Sequence, residues 1–188
     1  KLTVLHHGEM LAEAVLPAGE STTVELVGLG RRLPPGDTEV ELRAPGYGRL
    51  PYSVEVAYHT PSPPSDEQCP VRLTTRLAQT ELRAGQTVAV EATLKNVTSE
   101  GQPMTVAIVG LPGGLEPQTA ELTALRDRGV FDYYELRPRE LICYWRTLPP
   151  SSAVHWQMTL TAAIPGAYTG PASRAYRYYT AERKTWVE

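Results

Sequence analysis

The chain has 188 residues, of which 41% are hydrophobic and 21% charged, with a formal charge of −3. Residues 1–60 carry five Lys/Arg against eight Asp/Glu, and the remainder carries thirteen of each. Neither part has the clustered basic field that nucleic acid requires, so nucleic acid is excluded as a partner. No apolar run approaches the roughly 20 residues that cross a bilayer, so membrane insertion by this segment is excluded too.

The 17 prolines and 15 glycines punctuate the chain at short intervals, and the runs between them have a two-residue period. Val24 and Leu26 alternate with Thr23 and Glu25, and Val40 and Leu42 with Glu39, Glu41 and Arg43. Tyr52, Val54, Val56 and Tyr58 then share one face opposite Ser53, Glu55 and Ala57. Such alternation turns one set of side chains inward and leaves the other in water, which predicts strands. About five strands are expected over residues 1–60, too few for a self-sufficient core. Lys1 opens directly in strand-like sequence, so the chain reads as an excerpt whose targeting signals lie upstream.

Thr60 to Pro70 breaks the pattern. Pro61, Pro63, Pro64 and Pro70 cannot donate to a ladder and favour extended polyproline-like chain, so 61–70 is expected to be an interdomain linker. Beyond it come Val71/Leu73, then Val88/Val90/Ala92/Leu94 and Met104/Val106/Ile108. The clearest run is Val154, Trp156, Met158, Leu160 and Ala162. A seven-stranded unit over 71–188 follows, and the fold class is an all-β antiparallel sandwich preceded by a smaller partial β-domain.

One segment reads as a short helix, Glu116 to Arg126. Pro117 fits a first helical position, Leu122 and Leu125 lie three apart, and acidic residues come early with Arg126 late. Glu116, Glu121 and Arg126 are its candidate interaction residues. The final strand is expected at Ala175–Thr180, with Tyr176 and Tyr178 facing one way and Tyr179 the other. Core or inter-sheet packing is the preferred role for these tyrosines over an exposed patch with Trp186.

Candidates for chemistry are few. His6 and His7 are adjacent on a strand and point to opposite faces, and no ligand spacing joins His59 to His155, so neither a metal nor any other cofactor is expected. Asp132 and Glu135, beside Tyr133 and Tyr134, read as a turn leading into a strand, because acid–base work needs a second carboxylate in a cleft. Gly110-Leu111-Pro112-Gly113-Gly114 lacks the Lys-Ser/Thr of a phosphate loop and reads as a strand-to-helix connection. Asn96-Val97-Thr98 matches the N-glycosylation acceptor pattern. No nucleophile–base constellation is present, so the chain is not read as an enzyme. Cys69 beside Pro70 and Cys143 in the run Leu141–Trp145 fit no zinc or redox motif; a bridge between them and two free thiols both stay open.

The segments Ala84-Gly85-Gln86-Thr87-Val88, Lys95-Asn96-Val97-Thr98, Val106 to Gly114, Val130-Phe131-Asp132-Tyr133-Tyr134-Glu135, Pro165 to Pro171 and Tyr176 to Tyr179 together resemble the C-terminal domain of the alpha-macroglobulin family, the alpha-2-macroglobulin-like and complement-related proteins. Residues 1–60 resemble the resumed second half of that family's CUB domain. The resemblance implies a non-catalytic C-terminal module of a broad-spectrum endopeptidase inhibitor, extracellular or in the periplasm or cell envelope. Its implied partners are an upstream thioester domain of the same parent chain and, through the full-length protein, proteases. The Gly-Cys-Gly-Glu-Gln type thioester motif is absent, and Glu116 and Glu121 stand where vertebrate relatives present receptor-binding lysines. With arginine far outnumbering lysine, a bacterial relative is expected. The competing reading is a structural or adhesive β-sandwich of a large envelope protein that traps nothing.

Overall fold

The computed structural model describes residues 1–16, 23–46, 48–57, 60 and 62–187. Tyr58, His59 and Pro61, used above, lie outside the described residues. The chain divides into two compact units, Lys1–His59 and Thr60–Glu188.

In the first unit β1 (Leu2–His6) and β2 (Glu9–Ala14) form a hairpin, and β3 (Glu41–Arg43) joins on the other side of β1 in the order β2-β1-β3. The hairpin turns on His7 and Gly8, with φ of 47° and 84°. Two left-handed residues in a two-residue loop match the right-handed twist of the flanking strands. Val4, Leu5 and Leu11 are buried. Two expected strands do not form: Thr23 to Leu26 and Tyr52 to Ala57 carry no regular structure. Tyr52, Val54 and Val56 are 75%, 73% and 74% exposed. Alternation supplies an apolar face, but a strand also needs a neighbouring ladder and a surface to cover that face.

The second unit is a two-layer antiparallel sandwich, as expected from the alternating runs. One sheet has the order β4-β5-β10-β7, from β4 (Val71–Leu77), β5 (Thr87–Asn96), β7 (Leu115–Pro117) and β10 (Ala153–Ala162). The other has the order β12-β11-β6-β9-β8, from β6 (Gln102–Gly110), β8 (Tyr133–Arg137), β9 (Glu140–Leu148), β11 (Ser173–Arg177) and β12 (Thr185–Val187). Nine strands are thus described where seven were expected, because β7 and β12 are three-residue edge pieces too short to show a period.

Inward side chains of both sheets meet in one core. Leu73, Val90, Leu94 and Met158 pack from the first sheet against Val109, Leu141 and Cys143 of the second. Trp145 and Trp156 bridge the layers with ring centroids 5.6 Å apart. The helix α1 (Thr119–Asp127) adds Leu122 and Leu125 to this core. Burying each leucine is worth about 2 kcal/mol. The helix starts later than expected. Glu116 and Pro117 belong to β7, where an edge position tolerates the missing proline N–H. It ends in a Schellman motif: Gly129 (φ 74°) donates to Arg126 O at 2.8 Å and Val130 to Leu125 O at 3.1 Å.

The Pro-rich run is not a free tether along its whole length. Trp186 donates its N–H to Ser65 Oγ at 2.8 Å, and Asp66 N–H reaches Lys184 O at 2.8 Å. Cys69, at the end of the run, is a core residue.

Candidate interaction surfaces

The three helix-region candidates serve separate structural tasks. Glu116 sits on β7 opposite Thr161. Glu121 turns its carboxylate to the sheet, where Oε2 accepts the N–H of Thr159 at 2.6 Å. The adjacent Thr159 O accepts Gln118 N–H at 3.2 Å, so the helix start completes a strand edge that β7 leaves short. Arg126 bonds its neighbour Asp127 through Nε and an Nη at 3.0 and 2.8 Å, and that pairing holds its guanidinium pKa above the ordinary value.

The cysteine bridge is not formed. Cys69 and Cys143 are both buried free thiols. Cys69 Sγ lies 3.7 Å from Ala175 O, whereas Cys143 stands two strands away, opposite Ala107, which itself pairs with Ala175. Burial pushes the Cys143 thiol well above its usual range, so it is not a nucleophile at neutral pH.

Asn96 is fully buried and uses its whole amide. Nδ2 donates to Glu100 O at 2.7 Å and Pro149 O at 2.8 Å, and Oδ1 accepts Thr98 N–H and Oγ1–H at 3.0 and 2.8 Å. The acceptor pattern in the sequence is therefore a loop clasp. His6 Nδ1 lies 3.1 Å from Glu39 O, and His155 Nδ1 lies 2.8 Å from Thr93 Oγ1. No group of three His, Cys, Asp or Glu side chains that could hold a metal occurs among the described residues. Asp132 Oδ2 accepts Arg146 N–H at 2.7 Å just before β8.

The two glycine- and proline-rich loops interlock. Tyr168 lies across Gly113, Gly114 and Gly166, where added Cβ atoms would stand 2.8, 2.5 and 2.8 Å from its ring. Its hydroxyl donates to Pro165 O at 3.1 Å. At Gly110 an added Cβ would fall inside the carbonyl of Pro171. The Pro165–Pro171 turn and the Gly110–Gly114 loop are therefore two halves of one contact.

The tyrosines are placed differently from the expected core role. β11 ends at Arg177, so Tyr178 and Tyr179 fall in the following turn, 50% and 79% exposed. Tyr176 lies on the outer face of the five-stranded sheet. There it packs, with Tyr144, against a second cluster of Val106, Ile108 and Ile142. Thr105 to Val109 of β6 are buried without interruption, so this strand is covered on both faces rather than alternating. Tyr133 stacks at 5.9 Å on Tyr144, Lys184 sits 5.3 Å over Tyr176, and Arg174 sits 5.5 Å over Trp186. Arg174 also pairs with Glu140 at 2.8 Å. Glu135 accepts the Tyr144 hydroxyl at 2.8 Å, which lowers the Glu135 pKa together with Arg137. Burial, aided by Glu135, pushes Tyr144 up to about 12. Trp, Tyr and Arg are the residue types that dominate protein interfaces. Sequence reading missed this face; the unbroken apolar run Val106-Ala107-Ile108-Val109 was the available signal.

These features define a β-sandwich module with an aromatic outer face. The model of the bacterial alpha-2-macroglobulin MG10 domain matches residues 56–182. The chain belongs to the bacterial alpha-2-macroglobulin family. No curated protein sequence matches it. Among solved structures it is similar to Salmonella alpha-2-macroglobulin reacted with methylamine, with TM-score 0.54 and 18% identity over 69% of this chain and 9% of that one. Trypsin-activated alpha-2-macroglobulin from Escherichia coli gives 0.53 and 16% over 66% and 10%. Native Escherichia coli alpha-2-macroglobulin from domain MG7 to the C-terminus gives 0.51 and 17% over 67% and 24%. At these identities the likeness concerns the fold, and the chain spans between 9% and 24% of these proteins.

Proposed function

We propose that this chain is the non-catalytic C-terminal module of an alpha-macroglobulin-like endopeptidase inhibitor, acting as docking surface and hinge for an upstream thioester domain. The observation that carries the reading is the MG10 match over residues 56–182. Residues 1–60 then form the second half of a CUB-like domain, 61–70 the linker, and 71–188 the C-terminal macroglobulin sandwich. The exposed alternating segment Tyr52 to Val56 supports a domain whose remaining strands come from elsewhere in the parent. The outer face bearing Tyr133, Tyr144, Tyr176 and Trp186 suits protein docking. Proteases are engaged by the full-length protein, outside the cell or in the periplasm or cell envelope.

The test is to treat the full-length parent with trypsin and follow its electrophoretic mobility and the residual activity of the protease on a large protein substrate. A compacted, faster-migrating parent with protease held from large substrates supports the reading. A parent cut without either change sinks it and leaves a structural β-sandwich.

A further inference from the structure

We propose that the free edge of β10 docks an extended, acidic peptide segment of a partner polypeptide, a property independent of the protease-inhibitor reading. The hydrogen-bond ladder fixes the residues involved. Ala162 donates to Gln86 O and accepts from Gly85 N, both at 2.8 Å, and Ser152 O accepts Asn96 N–H at 2.9 Å. Even-numbered residues of β10 therefore bond to β5, and odd-numbered ones face away from it. On that far side Thr161 lies opposite Glu116, and Thr159 is taken up by Gln118 and Glu121. The cover ends there. Ala153, His155 and Gln157 are exposed and have no backbone partner on that side among the described residues.

Donors and acceptors along this edge recur every second residue, and another extended backbone presents matching groups at that spacing. Free edges are usually blocked by a lysine, a proline or a bulge. The edge Ala153-Val154-His155-Trp156-Gln157 has no such residue, and its register with β5 runs unbroken from Ala153 to Thr161. An incoming strand would continue the line of β7, antiparallel to β10.

The register sets two charges beside this edge, and Glu91, opposite Gln157, is already answered by Arg76 at 3.9 Å. Ala153 lies opposite Lys95 on β5, and Arg72 lies beyond Lys95 on β4. Lys95 is exposed and has no ion-pair partner among the described residues. The alanine methyl leaves the ground between Lys95 and the incoming strand open. With strands about 4.8 Å apart, a carboxylate opposite Ala153 on the incoming strand is within reach of that ammonium.

The test uses the 188-residue chain and two blocked probes, acetyl-Thr-Val-Thr-Val-Glu-Val-Thr-amide and its Glu-to-Lys counterpart, read by amide hydrogen exchange in NMR. The acidic probe is expected to slow exchange at His155 and Gln157 saturably, by at least about tenfold. Lys95→Glu is expected to weaken binding about fivefold or more. Gln157→Pro removes an edge donor and is expected to abolish the protection; Lys95→Glu carries the test if that proline disturbs β10. The proposal is overturned if neither probe protects these amides or if the lysine probe binds equally well. Protection that rises with protein concentration alone also overturns it, because the occupant is then a second copy of this chain.

Discussion

The carboxylate of Glu121 and the backbone N–H of Thr159 meet at 2.6 Å, so a helix side chain stands in for a missing strand partner. An unpaired N–H at that half-buried position costs about 1–3 kcal/mol. Glu121→Ala is therefore expected to lower the urea unfolding free energy by that amount. Glu121→Gln keeps an acceptor oxygen and is expected to lose less. Equal losses for the two substitutions would show that the bond is not what matters there.

Gly110 and Gly101 make a matched pair of tests. A Cβ at Gly110 enters the carbonyl of Pro171, whereas a Cβ at Gly101 meets only Leu148 O at an ordinary 3.6 Å. Backbone cannot swing aside as a side chain can, so Gly110→Ala is expected to cost about 3 kcal/mol or more. Gly101→Ala is expected to be neutral or to stabilise by up to about 1 kcal/mol, through the unfolded chain. Thermal melts of the two variants check the contrast.

Asn96 ties the chain at Glu100 to the chain at Pro149 through the two hydrogens of one amide. Asn96→Ala takes the Oδ1 acceptor from Thr98 N–H and one donor each from Glu100 O and Pro149 O, which keep Thr98 Oγ1 and Ser152 Oγ, and a loss of about 2 kcal/mol is expected. The same geometry forbids a glycan. Secreted from a eukaryotic host, the folded chain is expected to show unchanged gel mobility after glycosidase treatment. A mobility shift would refute the buried clasp.

Tyr144 predicts an alkaline signature. Its folded pKa of about 12 lies above the ordinary tyrosine value of 10.0. The unfolded chain therefore ionises first, and the stability carried by the neutral phenol is complete below pH 10 and declines through about 12. Tyr144→Phe is expected to flatten the pH dependence of the unfolding midpoint in that window. For Glu135 the shift is downward, so its contribution is present above the unfolded carboxylate pKa and fades as pH falls. An unchanged alkaline slope in Tyr144→Phe would remove this phenol from the account.

Both thiols are buried, so they are expected to react with a disulfide reagent only as the chain unfolds. Two equivalents appearing with the urea transition is the expected result. A fast native equivalent would place one thiol at the surface.

The sandwich was legible in the sequence wherever a strand had one wet face. Val88 to Leu94 and Val154 to Ala162 alternate because the opposite sides of their pleats meet core and water. The signal failed in three physical circumstances. Tyr52 to Val56 has the period but no partner strand. β6 was legible as a strand from Met104, Val106 and Ile108, but because Thr105 to Val109 are all buried the alternation did not show its second covered face. β12 spans three residues and is defined by its pairing with β11. The roles of Glu121 and Asn96 were not legible, since a surface carboxylate and one that closes a sheet edge have the same letter. The aromatic outer face was missed for a related reason: Tyr144 and Tyr176 are 32 positions apart in the chain and meet only through the register with β6.

The strand order β12-β11-β6-β9-β8 places β11 beside a strand laid down some seventy residues earlier. During synthesis β6 can pair with β9 as soon as the latter has emerged, but its other edge stays open until Ser173–Arg177 arrives. That open edge belongs to a strand whose residues Thr105 to Val109 are all buried in the folded domain, the kind of segment that seeds aggregation. A ribosome stopping short of Ser173 would thus release a chain in which this apolar strand is bare along one side, and quality control would meet it as a sticky half-sheet rather than as a shortened domain.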